Sequence, residues 1–323
     1  MFQNTTVIPL HWKSIVDEAL RRRKTEKITQ REHAALANVS VPTMAAFERG
    51  DTALSLSKAF DILRVVGMVY EPSEGTLQDL FVKESFDRWQ ELNRLKFGNS
   101  LKRFPYGWTR FDYYLEGELK FIETKELITI LETKMKHYSG LPPFYVSSHT
   151  KHKIVANDII ECRLNNFDDF WRADVNGHLF FIREHQEDLE ETFPPQSIFD
   201  ITIPIWRIAE ALLHAEQLAS FLKNKEDSAI TVHFRALYTG LKGRVLRPWS
   251  MPDNIISFQF SGRNALSNEV CVTAELLAND ISKRLVDHLY PLASTLYQAF
   301  GITDFPKELV EIVVKRLFDY QSR

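Results

Sequence analysis

Residues 28–50 read Ile-Thr-Gln-Arg-Glu-His-Ala-Ala-Leu-Ala-Asn-Val-Ser-Val-Pro-Thr-Met-Ala-Ala-Phe-Glu-Arg-Gly. This spacing predicts two short helices joined by a tight turn. Thr29, with Glu32 three residues on, forms a capping-box pair at the first helix start. Ala34, Leu36 and Ala37 supply small or apolar residues for close helix contact. Asn38 sits where that helix must end, and Asn tolerates the left-handed backbone. Ser40 caps the second helix, and Pro42 falls in its first turn, where a missing N–H is harmless. Met44 and Phe47 share a face, and Gly50 stops the helix.

A helix in front is predicted from Trp12, Ile15, Val16, Ala19 and Leu20, and one behind from Leu56, Ala59, Phe60, Leu63 and Val66, closed by Gly67. Residues 10–70 therefore read as a four-helix module. Over this module the chain resembles the helix-turn-helix of Cro/Xre-type bacterial and phage DNA-binding proteins. Ile28, Thr29, Gln30, Ala34, Leu36, Val39, Ser40, Thr43, Glu48, Arg49 and Gly50 fit that pattern, while His33 stands where an aliphatic residue is usual. The resemblance implies double-stranded DNA as the partner, Gln30 on a backbone phosphate, and Val41, Pro42, Thr43, Ala45 and Ala46 facing the groove. Thr43 alone among these five hydrogen-bonds through its side chain. Apolar groups touch thymine methyls but make no bidentate base pairs, so specificity is expected to lean on DNA shape, backbone contacts and the half-site spacing of a homodimer.

Charge is distributed in keeping with this. Residues 1–70 hold ten Lys/Arg against seven Asp/Glu, whereas the whole chain has 40 against 43. Arg21, Arg22, Arg23, Lys24, Lys27 and Arg31 form a basic run beside the motif; they read as phosphate contacts or as a solvated helix end. The expected DNA-facing set is Arg21, Arg22, Arg23, Thr29, Gln30, Arg31, Ser40, Val41, Pro42, Thr43, Ala45, Ala46 and Arg49.

A chain of 323 residues with 44% hydrophobic content suits two or three domains. No apolar run reaches the ~18–20 residues of a membrane helix, the N-terminus shows no signal-peptide pattern, and Cys162 and Cys271 are isolated. These features lead to the expectation of a reduced, cytoplasmic protein with two buried thiols. The expected organisation is a helix-turn-helix domain over 1–72, a helical connector or dimerising helix over 73–104, and a regulatory or interaction domain over 105–323. The polar stretch 71–75 marks the first boundary. A helical pattern through Phe81, Phe86, Trp89, Leu92 and Leu95 carries the connector.

From Gly107 the pattern changes to α+β with a largely antiparallel sheet. Strands or turns are expected around 106–114 and at 159–164, and a helix over 122–138. Asn176-Gly177 signals a two-residue hairpin between 170–175 and 178–183. A strand over 197–203 leads into a helix from about 205 to 222. A second hairpin joins 230–237 to 244–247, and strands follow at 255–260 and 270–273. Closing helices carry Leu277, Ile281, Leu285 and Leu289 on one face. Residues 105–250 are weakly similar to a region of bacterial proteins that carry a Schlafen-type AlbA domain, through Gly140-Leu-Pro-Pro-Phe, Phe170-Trp-Arg, Asp200–Ala215 and Tyr238-Thr-Gly-Leu-Lys-Gly. That similarity transfers no activity.

Trp206, Glu210 and His214 recur on one helix stripe with Arg207 beside them. They read either as a ligand-facing strip, Arg207 holding an anion, or as a buried network joining helix to sheet. The acidic run 184–191 reads as a solvated loop or helix. His149 and His152 lack nearby ligands at metal spacing, and no phosphate loop or nucleophile elbow is present. No cofactor, metal or catalytic residue is therefore expected. Two alternatives to a DNA-binding regulator with a sensing, dimerising or partner-binding C-terminal domain remain. One is an antitoxin-type interaction protein. The other is a metal-dependent nuclease built on Asp112, Glu118 and Lys120, although Glu123-Thr-Lys125 and Glu132-Thr-Lys134 match the same short pattern.

Overall fold

Helix α1 (Trp12–Thr25) turns Val16 and Ala19 inward, then reverses at Lys27, whose φ of 58° lies in the left-handed region. It is followed by α2 (Gln30–Leu36), α3 (Val41–Glu48) and α4 (Leu56–Val65). The computed structural model describes residues 11–37, 39–66, 68, 76–97, 106–138, 143–144, 152–155, 159–163, 169–189, 192–253, 256 and 259–321, and the chain divides into two units, Met1–Leu77 and Gln78–Arg323. In the first unit Met44 and Phe47 of α3 meet Val16, Ala34 and Ile62 in one core, with the Trp12 ring edge-on to Phe47 at 5.6 Å. The inward face of α4 differs from expectation. Ala59, Ile62, Leu63 and Val66 are buried, but Leu56 and Phe60 are 67% and 39% exposed. The expected set, from Leu56, and the buried set, from Ala59, are both i, i+3, i+4, i+7 stripes, and packing against the other helices selects the one that carries Ile62, Leu63 and Val66. The expected ends at Asn38 and Gly67, and the boundary at 71–75, lie outside the described residues.

The second unit is built on a seven-stranded antiparallel sheet in the order β2-β3-β4-β5-β1-β7-β9. The strands are β1 (Trp108–Gly117), β2 (His152–Val155), β3 (Ile159–Arg163), β4 (Phe170–Asp174), β5 (Leu179–Glu184), β7 (Ile230–Tyr238) and β9 (Val270–Leu277); β6 (Ile198–Asp200) and β8 (Val245–Arg247) form a separate parallel pair. The expected N-terminal helical module and α+β C-terminal part are thus both present. Phe111, Tyr113 and Leu115 of β1 and alternate residues of β7 face one core, which α6 (Thr124–Thr133), α7 (Ile203–Leu222), α8 (Leu285–Gln298) and α9 (Lys307–Gln321) complete.

The helix α5 (Thr76–Phe97) belongs to this second unit instead of standing as a connector. Phe81, Val82 and Trp89 pack on Phe170, Phe180 and Ile182 across the opposite sheet face. Arg88 donates to both oxygens of Glu161 (3.0 and 3.2 Å), and Gln78 donates to Asp112 (2.9 Å). From Phe81 to Leu92 the apolar stripe of the expected dimerising helix is therefore already covered. This packing also explains β5: Leu179-Phe180-Phe181-Ile182 is uninterrupted because both faces of the strand are buried, whereas β7 alternates because only one of its faces is buried.

Five local expectations change. The β4–β5 loop is one residue longer than two, with Asp174 N–H donating to His178 O (3.0 Å) and Gly177 N–H to Asp174 O (3.3 Å). This is the three-residue hairpin with a left-handed third residue. The β7–β8 hairpin does not form, because β7 lies between β1 and β9 while β8 joins β6. The chain turns away where Gly107 (φ 120°) and Gly240 (φ 66°) abut; a Cβ on Gly240 would fall 2.6 Å from Gly107 Cα. In the expected strand 255–260, Gln259 and Phe260 lie in a turn and the rest is largely outside the described residues. Leu277 ends β9 and is 54% exposed instead of joining the helical face of Ile281, Leu285 and Leu289. Of the two cysteines, Cys162 is buried but Cys271, near the start of edge strand β9, is exposed.

The acidic run is largely internal. Glu187 accepts the Asp200 N–H (2.6 Å), and burial, with the Asp200 charge, pushes its carboxyl up to about 7. Asp188 forms a two-pronged ion pair with Arg244, whose side chain is fully buried. Arg244 also donates to Gly240 O (2.8 Å), Ile198 O (2.9 Å) and Tyr106 O (3.0 Å). Glu190 and Glu191 lie outside the described residues.

Candidate nucleic-acid interface

The caps of the two central helices are formed as the residue types require. Thr29 Oγ1 accepts the Glu32 N–H (3.2 Å) and Glu32 accepts the Thr29 N–H (2.8 Å), a reciprocal capping box. The turn after α2 closes with Val39 N–H on Ala34 O (2.9 Å). Helix α3 begins at its Ser40 cap and ends in a Schellman turn, with Asp51 N–H on Ala46 O (3.1 Å), Gly50 N–H on Phe47 O (2.8 Å) and Gly50 at φ 81°. Met44 and Phe47 lock one face of α3 into the core. The opposite side presents Val41 and Pro42 exposed, with Thr43, Ala45 and Ala46 half-buried. Ser40 Oγ accepts the Thr43 N–H (3.3 Å) and lies 2.8 Å from Thr43 Oγ1. When Ser40 gives its proton to Thr43, the Thr43 hydroxyl proton is left to donate outward.

Sequence reasoning missed a brace behind this surface. Glu48, at the end of α3, accepts from Gln30 (2.8 Å) with one oxygen and pairs with Arg23 (2.9 Å) through the other, while Arg23 also donates to Ile28 O (3.0 Å). The three side chains tie the end of α1 and the start of α2 to α3. Arg21 and Arg22 both engage Glu18, at 2.7 and 2.8 Å. By contrast Arg31 and Arg49 are exposed, and among the described residues no ion pair holds either of them. A pair at long sequence separation, such as Arg23 with Glu48, leaves no periodic signal in the sequence.

His33 replaces the usual aliphatic residue yet occupies a core position, 2% exposed, with Nε2 2.9 Å from Ile62 O. Leu36, the aliphatic candidate nearby, is 64% exposed. Burial holds the imidazole pKa below its ordinary 6.5. The unfolded chain therefore takes up the proton first, so the stability that neutral His33 contributes is present above the ordinary pKa and is lost as pH falls toward the lowered one. In the full chain, the unfolding midpoint of the N-terminal unit should fall between about pH 7.5 and about 5.5, and His33→Leu should reduce that dependence. An equal dependence in the variant would exclude His33 as its source.

The second set of expected site residues is split by the fold. Arg207 does grip an anion, but that anion is Glu210 (2.7 Å); its Nε donates to Gln186 (2.9 Å). His214 is buried, with Nδ1 2.7 Å from the Tyr113 hydroxyl of β1 and its ring stacked on Phe144, and burial pushes its pKa down to about 3. Trp206 and Arg207 line an open cleft, Glu210 is buried in its pair with Arg207 on the same helix, and His214 alone of the four joins α7 to the sheet through Tyr113. The carboxylates and lysine of the nuclease pattern have separate partners: Asp112 accepts from Arg110 and Arg235, Glu118 lies by Lys225, and Lys120 by Glu126.

Residues 20–72 match a family model described as helix-turn-helix. This segment is a Cro/C1-type helix-turn-helix domain, which supports a DNA-binding regulator in general terms. No curated protein and no solved structure matches the chain. The similarity read over 105–250 has no counterpart in these comparisons. No described helix is long and apolar enough to cross a membrane.

Proposed function

We propose that the protein is a sequence-specific transcriptional regulator that places α3 in the major groove of duplex DNA and acts as a two-fold dimer. In this reading Gln78–Arg323 senses a ligand, holds the dimer or recruits a partner, and the protein performs no catalytic step. The observation that carries it is the build of α3: one face anchored by Met44 and Phe47, the other presenting Val41 and Pro42 exposed, with Arg31 on α2 and Arg49 at the end of α3 both exposed and held in no ion pair among the described residues. A single small module reads few base pairs, so pairing two modules raises affinity and sets the half-site spacing. With the stripe of α5 covered, the dimer contacts are assigned to other surfaces of the second unit.

Footprinting on DNA upstream of its own coding sequence should show a two-fold protected site with half-sites about one helical turn, or a multiple of it, apart. Thr43→Ala should change base preference or weaken specific binding by roughly 1–3 kcal/mol. Gln30→Ala should weaken binding evenly across sequences. Variants that footprint like the parent would mean the recognition helix is elsewhere. A monomeric mass at micromolar concentration with a non-palindromic footprint would overturn the dimer, and Mg²⁺-dependent cleavage of DNA would overturn the non-enzymatic reading.

A further inference from the structure

We infer that the cleft between the start of α7, the segment after β8 and the end of α9 binds a small planar aromatic molecule that carries N–H donors and an anionic group. The cleft encloses about 710 Å³, within the roughly 300–1,000 Å³ of small-molecule sites. Three aromatic side chains from three separate elements line it: Trp206 of α7, Trp249 after β8, and Tyr320 of α9. Trp206 and Tyr320 meet edge-on, with ring centroids 6.3 Å apart and planes at 80°. Buried Met251 adds a further apolar surface. Aromatic walls of this kind take a flat ring.

The polar groups narrow the ligand further. Thr202 Oγ1 and Ser250 Oγ each lie 2.9 Å from Asp200 Oδ1 and 2.6 Å from one another, so both hydroxyl protons are held within this cluster and the exposed Ser250 Oγ keeps a lone pair that accepts an N–H donor from the cleft. Asp200 also takes the N–H groups of Thr202, Ile203 and Ser250 at 2.6 to 2.7 Å, which fixes these hydroxyls in place. Arg207 brings no net charge, because Glu210 neutralises it. That leaves Arg316 and Asp319, one turn apart on α9, both exposed and both lining the cleft. Their spacing would allow an ion pair, yet among the described residues neither is engaged in one. Arg316 is the group for the ligand's anion, and Asp319 is a further acceptor for its N–H groups. A nucleotide and an aromatic amino acid share this chemistry.

Only the link from this cleft to DNA rests on the regulator reading; the binding itself does not. Calorimetric titration of the full chain with AMP, GMP, UMP, L-tryptophan and anthranilate separates the two sources, with inorganic phosphate and acetate as ring-free controls. At least one aromatic anion should bind with Kd below about 100 μM and the controls should not. Arg316→Glu, a change at an exposed residue, should weaken that binding at least about tenfold without moving the unfolding midpoint. Trp249→Ala should do likewise, whereas Lys315→Glu, at an exposed residue that does not line the cleft, should leave the affinity unchanged. Failure of every aromatic probe, equal binding of the controls, or binding that survives both cleft variants would overturn the assignment. Mobility shifts on the same samples keep the two readings apart. Absence of DNA binding both with and without ligand, while ligand binding is intact, supports the cleft and tells against the regulator, and ligand binding with unaltered DNA affinity supports the cleft but overturns its role as sensor.

Discussion

Replacing Arg31 and Arg49 together with alanine is expected to lower the affinity of the full chain for duplex DNA roughly 100-fold at about 0.1 M salt, and to flatten the plot of log K against log salt by about 2 units. Each phosphate contact releases close to one counterion, which is worth about tenfold at that salt concentration. These two arginines are singled out because they are exposed, lie on or at the end of the helix pair, and are held in no ion pair among the described residues. The triplet Arg21, Arg22 and Arg23 is expected to do less for DNA than its charge suggests. Arg21 and Arg22 share Glu18, and Arg23 is only 13% exposed in its pair with Glu48. Arg23→Ala should instead lower the stability of the N-terminal unit. An unchanged salt slope in the Arg31/Arg49 variant, measured by fluorescence anisotropy across salt, would take both residues out of the interface.

Arg244→Ala should destabilise the second unit by about 3–5 kcal/mol, because it strands the buried Asp188 carboxylate in a site that excludes water. For a unit of this size that corresponds to a fall in unfolding midpoint of roughly 6–20 °C. The loss extends beyond the ion pair. Arg244 gathers the carbonyls of Tyr106, Ile198 and Gly240, and so joins the segment before β1, strand β6 and the turn after β7. Asp188→Leu alone should be similarly costly. Combined with Arg244→Met it should cost less than the two single changes added, since no unpaired charge then remains. Calorimetric unfolding of the parent, Asp188→Leu, Arg244→Met and the double variant checks this, and strictly additive losses would mean that the pair is not the source.

Local signals in the chain were enough to place the N-terminal elements. Caps, the Pro42 position, the Gly50 stop and the apolar spacing of α1 and α3 depend on neighbours within a few residues, and each survives in the folded unit. The alternation of β7 and the Asn176-Gly177 turn were legible for the same reason, though the turn proved one residue longer. Other features were not decided locally. Whether Phe60 or Ile62 of α4 points inward, and whether His33 or Leu36 enters the core, depends on which stripe the partner helices can cover. The partner of β7 was read as its neighbour in the chain, but β1, more than a hundred residues earlier, takes that place, and two abutting glycines turn the chain away from β8.

The candidate sites divide in the same way. The stripe Trp206, Glu210 and His214 is plain in the sequence, but helical spacing alone cannot tell a wall of a cleft from a buried network. Packing against Tyr113 and Phe144 sends His214 inward, and the nearby end of α9 leaves Trp206 facing open space. The run from Glu184 to Glu191 looked solvated because charge density is visible in a sequence and its partners are not; Arg244 and the Asp200 N–H, 13 or more residues away, draw Asp188 and Glu187 inside. Sequence by itself determined most of the element types and the helix-turn-helix, since these follow from short-range sterics, capping and periodicity, while the expectation of DNA as partner came from the family resemblance. Tertiary structure alone decided that Glu48 takes up Arg23 and that Arg244 takes up Asp188, because a salt bridge between residues far apart in the chain depends on distance in space and leaves no periodic trace, unlike the i, i+3 and i, i+4 pairs of Glu18 with Arg21 and Arg22.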